Sequence, residues 1–162
     1  MDAVLAGSRV LVAVATQSLG AAAEETTLAQ YRTLVVLASL GPQRMVDLAG
    51  ALGVTPSTAG RMCERLLRKG LIRRHRARSD RREVLVSVTA AGRDVVDQAT
   101  VRRRELLADI LARLTPAQQG EVAAGLAAFA VVAGEIPDSQ WPAGPSVAEA
   151  GAPEPGEERE QA

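Results

Sequence analysis

Two short helical patterns lie on either side of the Gly53-Val54 break, and this pairing limits what the chain can fold into more than any other feature. Met45, Leu48, Ala49 and Leu52 recur at helical spacing and stop at Gly53. Thr55-Pro56 opens the second pattern, with Thr placed to cap the helix and Pro at its first position. Ala59, Met62, Cys63, Leu66 and Leu67 then fall at i, i+3, i+4, i+7 and i+8, which gives one apolar face. Thr58, Arg61, Arg65 and Arg68 occupy the opposite face. Gly70 suits a left-handed cap that folds Leu71 back onto Leu67. Two short helices across a tight turn, the second with a basic face, form a helix-turn-helix pattern.

The flanks extend the pattern. Thr27 and Gln30 form a capping box, and Leu28, Tyr31, Leu34, Val35 and Ala38 follow at helical spacing until Gly41-Pro42. Beyond Gly70, residues 71–76 read as a strand. Val84, Val86 and Val88 alternate with Leu85, Ser87 and Thr89 as a second strand, leaving 77–82 as a basic hairpin tip, or wing. Thr89 caps a long helix over 89–114 with Val95, Val96, Ala99, Leu106, Ile110 and Leu114 on its apolar stripe, interrupted by Arg102-Arg103-Arg104. Thr115 and Gln118 form another capping box before Val122, Leu126 and Phe129. Residues 3–23 are apolar, with Arg9 their only basic residue. Their longest unbroken run, Val10–Ala15, is too short for a secretory signal or a membrane span, so they read as a buried or dimer-forming helix.

The expected fold is therefore mainly α with a small β-hairpin: a winged helix-turn-helix domain over 27–88 and a helical region made by 1–26, the long helix 89–114, and 115–135. Residues 136–162 are rich in Pro, Gly and Glu and read as a disordered acidic tail.

Formal charge is zero, with 19 basic and 19 acidic residues, but the charges are segregated. Arg61, Arg65, Arg68, Lys69, Arg73, Arg74, Arg76, Arg78, Arg81 and Arg82 are opposed locally only by Glu64 and Asp80. Glu135, Asp138, Glu149, Glu154, Glu157, Glu158 and Glu160 meet only Arg159. Such asymmetry points to a polyanionic partner. Aromatic residues make up 2% (Tyr31, Phe129 and Trp141), too few for a platform that stacks single-stranded bases. With one Cys and one His, the chain offers no disulfide framework, zinc finger or His-based triad. It offers no phosphate loop either, so neither an enzyme nor a bound metal or cofactor is expected. Cys63 reads as a small buried hydrophobe, His75 as solvated or phosphate-facing, and Arg102–Arg104 as a solvated helix face.

With this order of elements, the chain resembles the MarR family of winged-helix transcriptional regulators. The match rests on Met45-Val46-Asp47-Leu48-Ala49, on Leu66-Leu67-Arg68-Lys69-Gly70-Leu71-Ile72-Arg73-Arg74, on Asp80-Arg81-Arg82, and on Val88-Thr89-Ala90-Ala91-Gly92, and runs from about Ala3 to Gly134. The resemblance implies a cytoplasmic homodimer on double-stranded DNA, most often a repressor on an inverted repeat. Many members of the family are released by a small lipophilic or anionic effector, and the resemblance puts its pocket near Tyr31 and the first helix; the scarce aromatics point either to an aliphatic lining or to no small-molecule ligand. A recognition helix enters the major groove by its N-terminal end, which places Pro56, Ser57, Thr58 and Arg61 nearest the base edges and Arg65 and Arg68 nearer phosphates. The resemblance makes Arg82 the minor-groove residue, oriented by Asp80. Arg78 and Arg81 suit phosphates beside the wing, and Arg44 is a weaker phosphate candidate. The alternative is a winged-helix interaction module without specific DNA binding, which the basic wing disfavours.

Overall fold

The computed structural model describes residues 1–20, 26–77 and 82–142. Its elements run α1 (Asp2–Leu19), α2 (Leu28–Leu40), β1 (Gln43–Arg44), α3 (Met45–Leu52), α4 (Pro56–Arg68), β2 (Ile72–Arg76), β3 (Val84–Val88), α5 (Ala90–Leu111) and α6 (Pro116–Val132), with a 3₁₀ turn at Asp138–Gln140. No helix among the described residues is long and apolar enough to cross a membrane.

The core forms around α2. The sequence suggests one apolar stripe, but α2 buries Gln30, Tyr31, Thr33, Leu34, Val35, Val36, Leu37 and Ala38. It is covered on most sides, because α1, α3, α4, α5 and β3 all pack against it. Its N-terminus carries the capping box: Thr27 Oγ1 accepts the Gln30 N–H (3.3 Å), and Gln30 Oε1 accepts the Thr27 N–H (3.2 Å). Leu48, Cys63, Leu66, Val86 and Val96 complete the buried cluster.

The sheet has three strands rather than a hairpin's two, in the order β1-β3-β2, all antiparallel. β1 is only two residues long, with Gln43 opposite Val86 and Arg44 opposite Leu85. Two residues are too few to show an alternating pattern, so β1 leaves no periodic signal in the sequence.

Three elements meet at one junction. α4 ends in a Schellman turn: the Gly70 N–H donates to Leu67 O (2.9 Å) and the Leu71 N–H to Leu66 O (3.0 Å), with Gly70 at φ 68°. From β3, the Thr89 N–H donates to Leu71 O (3.0 Å) and Thr89 Oγ1 donates to Gly70 O (2.7 Å). That hydroxyl oxygen also accepts the Gly92 N–H (3.1 Å), capping α5. Gly92 has no room for a side chain, since a Cβ there would lie 2.0 Å from Leu71 O and 2.8 Å from Val88 Cγ2.

Two expectations need adjustment. The long helix ends at Leu111, not Leu114; the Arg113 and Leu114 N–H groups donate to Ile110 O and Leu111 O in a closing turn before Thr115 caps α6. Residues 136–142 do not join a disordered tail: Trp141 packs against the core and its Nε1 donates to Ile136 O (2.9 Å). The rest of that tail, 143–162, lies outside the described residues. α1 buries only Val14, Ser18 and Leu19, and α6 buries nothing, so Val4, Leu5, Val10, Leu11, Val12, Val122, Leu126 and Phe129 are exposed in the single chain.

The crowding at Gly92 gives a test with an internal control. Gly92→Ala should lower unfolding free energy by about 1–3 kcal/mol, the usual cost of overpacking, and more if the Leu71 carbonyl cannot shift. Gly50→Ala, mid-helix with open space where its Cβ would lie, should raise it by about 0.5–1 kcal/mol. Urea titrations of both variants check the opposite signs.

Candidate nucleic-acid interface

Gly53 joins α3 to α4. It adopts the left-handed conformation (φ 65°, ψ 32°), and the next N–H, that of Val54, donates to Ala49 O (3.0 Å). This turn directs the N-terminus of α4 outward. Thr55 Oγ1 accepts the Thr58 N–H (3.3 Å) and donates to Thr58 Oγ1 (3.0 Å), while Ser57 Oγ lies 3.1 Å away. Arg61 Nη2 donates to Thr58 Oγ1 (3.3 Å), so a chain of hydroxyls steadies its guanidinium at the helix start. Pro56, Ser57, Arg61, Arg65 and Arg68 are exposed and Thr58 is half-buried, while Ala59, Cys63 and Leu66 on the far face are buried. Both faces match the helical spacing of the sequence.

β2 continues the basic surface. Arg73, Arg74 and Arg76 are exposed, and Arg73 Nε donates to Ser87 Oγ across the ladder (3.3 Å). β2 and β3 form an arm whose ladder is continued towards the tip by Ala77, whose N–H donates to Glu83 O (2.9 Å). Among the described residues no carboxylate pairs with Arg61, Arg65, Arg68, Arg73, Arg74 or Arg76. Arg82 is exposed at the foot of β3. Arg78, Asp80 and Arg81 lie outside the described residues.

Arg44 differs from the sequence expectation. It pairs with Asp47 (2.5 Å) and with Glu83 (3.5 Å), and the Asp47 carboxyl is held below its ordinary range by that guanidinium. A phosphate would have to compete with two carboxylates there. Cys63 is fully buried, and burial pushes its thiol up, consistent with a packing role. His75 is half-buried with Nδ1 3.4 Å from Ser87 Oγ; burial first and then the Arg73 charge keep its pKa below the ordinary value. It is thus less solvated than its sequence context suggests.

Arg102–Arg104 do not form a merely solvated face. Arg102 Nη1 donates to Leu19 O (3.2 Å), and Arg103 Nη2 to the buried Ser18 Oγ (3.4 Å). The Arg103 guanidinium lies 5.2 Å from the Tyr31 ring centroid, and Arg104 pairs with Asp138 (3.4 Å). These contacts border a cavity of about 1020 Å³ between α1, α2, α5 and the chain after α6. Tyr31, Val35, Leu107 and Trp141 supply apolar walls, and Arg32, Arg103 and Arg104 supply cations. The lining is more aromatic than the composition implies, because Trp141 packs here rather than joining the tail. Arg103 Nε is buried without a partner. Arg32 closes one side through a bidentate pair with Glu135 (2.8 and 2.7 Å).

Residues 26–84 match the family model described as MarR family. The HTH-type transcriptional regulator YhbI of Bacillus subtilis (strain 168) is 26% identical over 94 residues, which span 58% of this chain and 61% of that protein. The crystal structure of RV1404 from Mycobacterium tuberculosis is similar at 42% identity and TM-score 0.79, covering 84% of this chain and 92% of that one. Wild-type MarR from E. coli in its apo form shares the fold at 22% identity and TM-score 0.67, over 79% of this chain and 93% of that one.

The Arg32–Glu135 pair makes a pH prediction. The pair holds the Glu135 carboxyl below its ordinary range, so its stabilisation is present above the unfolded value and lost as pH falls through the folded one. Both side chains are partly exposed, which limits the contribution to roughly 0–1 kcal/mol. Glu135→Gln should lower Tm slightly at neutral pH, and the gap should close below about pH 4. Thermal melts across that range check it.

Proposed function

The chain belongs to the MarR family, and from that premise we propose that it is a homodimeric, DNA-binding transcriptional repressor, cytoplasmic, acting on an inverted-repeat operator. The observation that carries the reading is the outward face of α4, capped at its start by Thr55, along which Arg61, Arg65 and Arg68 are exposed without a carboxylate partner among the described residues. A row of guanidinium groups along one helix face, continued by Arg73, Arg74 and Arg76, is complementary to a phosphate backbone.

In this reading α4 enters the major groove with Pro56, Ser57, Thr58 and Arg61 nearest the base edges. Arg61, steadied by Thr58, reaches guanine O6 and N7 in a bidentate pair. Arg65 and Arg68 meet phosphates, which set register without reading sequence. The arm lies over the neighbouring minor groove, with Arg82 inserted and oriented by Asp80, and Arg78 and Arg81 on the flanking phosphates.

Dimerisation covers the exposed apolar side chains of α1 and α6, with α5 completing the region. Two copies then present their α4 helices about 34–36 Å apart, the repeat of the duplex. The cavity bordered by Arg103, Tyr31 and Trp141 suits an effector with an apolar body and an anionic end. Bound there, it contacts α1, α2 and α5 together and shifts the spacing of the two α4 helices.

Two measurements test this. In Arg61→Ala, discrimination at one operator base pair should fall by about 1–3 kcal/mol. Arg65→Ala should instead weaken all sequences alike and reduce the salt slope by about one. Fluorescence anisotropy with specific and scrambled duplexes at two salt concentrations separates them. Phe129→Glu should yield monomers by light scattering and lose operator binding, and a Phe129→Glu protein that stays dimeric would move the interface off α6.

A further inference from the structure

The described chain does not simply end beyond α6; it is fastened. Glu135 pairs with Arg32 and Asp138 with Arg104, and the Trp141 side chain packs on the core. Arg93 Nη2 then donates to Pro142 O (2.9 Å). Pro142 therefore sits at a defined place, on the face of the sheet that carries Arg73 and His75. There it shares a cavity of about 180 Å³ with Arg73, His75, Ser87 and Arg93, and no carboxylate is among the lining residues. The chain continues from here, with Arg73, His75 and Arg93 towards the sheet and Asp97 and Asp138 on the other side, into residues 143–162, outside the described part. These carry Glu149, Glu154, Glu157, Glu158 and Glu160, with Arg159 as their one basic residue.

Reach and charge both favour contact. Glu149 follows Pro142 by seven residues, at most about 25 Å of chain, and Glu160 follows by eighteen, at most about 65 Å. Arg73 lies beside Pro142, Arg74 and Arg76 follow on the same strand with their side chains on its other face, and α4 packs directly against β2. The exposed arginines of both elements have no carboxylate among the described residues. A tethered acidic segment also has an effective concentration of the order of millimolar at such a surface, far above that of a free competitor.

We propose that residues 143–162 dock on the basic arm and the adjoining α4 face as an intrachain polyanion, holding that surface against non-specific duplex. The competition, though not the docking, rests on the DNA-binding reading above. A cognate operator that adds base contacts displaces the segment, whereas duplex offering phosphates alone does so poorly. The segment thereby raises the ratio of specific to non-specific binding.

Two arms on the full-length chain test it. In the first, Ala162→Cys carries a nitroxide, a change that removes none of the acidic residues; Cys63 is buried and does not compete for the label. Amide signals of 61–68 and 73–77 should broaden at about 50 mM salt and recover at about 500 mM, as screening shortens the range of the attraction. No broadening there, broadening centred on α1 or α6, or broadening that ignores salt would overturn the docking. In the second arm, Glu149, Glu154, Glu157, Glu158 and Glu160 are all changed to Gln. This variant should bind a scrambled duplex roughly 5- to 10-fold more tightly at low salt, with the gain disappearing at high salt. Equal affinity of the two chains for duplex would overturn the competition. If neither chain binds any duplex, the DNA-binding reading fails and the nitroxide arm still decides the docking.

Discussion

The carbonyl of Leu71 is the point through which the candidate site is held. It accepts the Thr89 N–H and lies against the bare Cα of Gly92, one residue beyond the turn that closes α4. The C-terminus of α4, the first residue before β2, the exit of β3 and the first turn of α5 therefore share one small polar knot. Each backbone group there has a fixed partner, so none of these elements can rotate without leaving a donor or acceptor unsatisfied. A basic helix and a basic arm are useful on a duplex only if their mutual angle is constant, and this junction sets it. It also ties both to α5, which borders the large cavity. Hydrogen bonds, rather than a flexible linker, thus join α5 to the arm.

How much of this could be read beforehand follows from the range of each interaction. The caps at Thr27, Thr55, Thr89 and Thr115 are all present, because each joins groups three residues apart whose geometry is set once a helix begins. The two faces of α4 follow from 3.6-residue periodicity for the same reason. What escaped is long-range. β1 exists because the edge of β3 offers partners to Gln43 and Arg44, and nothing within two residues announces that. Trp141 stands in a Pro- and Gly-rich stretch but packs on the core, since one large side chain and the Arg32–Glu135 pair outweigh local composition. The exposed positions Arg61, Arg65 and Arg68 were legible; the pairing of Arg44 with Glu83, across the sheet, was not.

The arginines divide by partner rather than by position. Arg32, Arg93, Arg102, Arg103 and Arg104 give their N–H groups to carbonyls, a hydroxyl and carboxylates of the same chain, joining α2 and α5 to α1 and to the segment after α6. Partly exposed pairs of this kind contribute little to stability, and their value lies in placement. A planar fork with several donors can hold two backbone segments at once, which an ammonium cannot do as well. The other set, on α4 and β2, has no such internal acceptors beyond Thr58 and Ser87 among the described residues. Leaving that set without carboxylates keeps repulsive charge on the surface, a cost that a bound polyanion removes.

α5 carries the two ends of this arrangement. Its 22 residues span about 33 Å. The N-terminal turn is locked to the arm through Thr89 and Gly92, and the C-terminal end leads into α6, whose apolar side chains are uncovered in the single chain. Apolar stripes on α1 and α6 are unfavourable in water, and pairing with a second copy removes them. Any such pairing fixes the far ends of two α5 helices, and each near end fixes an α4. The spacing between the two basic faces is then set by rigid helices and one hydrogen-bonded knot in each copy. In the proposed dimer, a ligand between α1, α2 and α5 would act at the base of that lever.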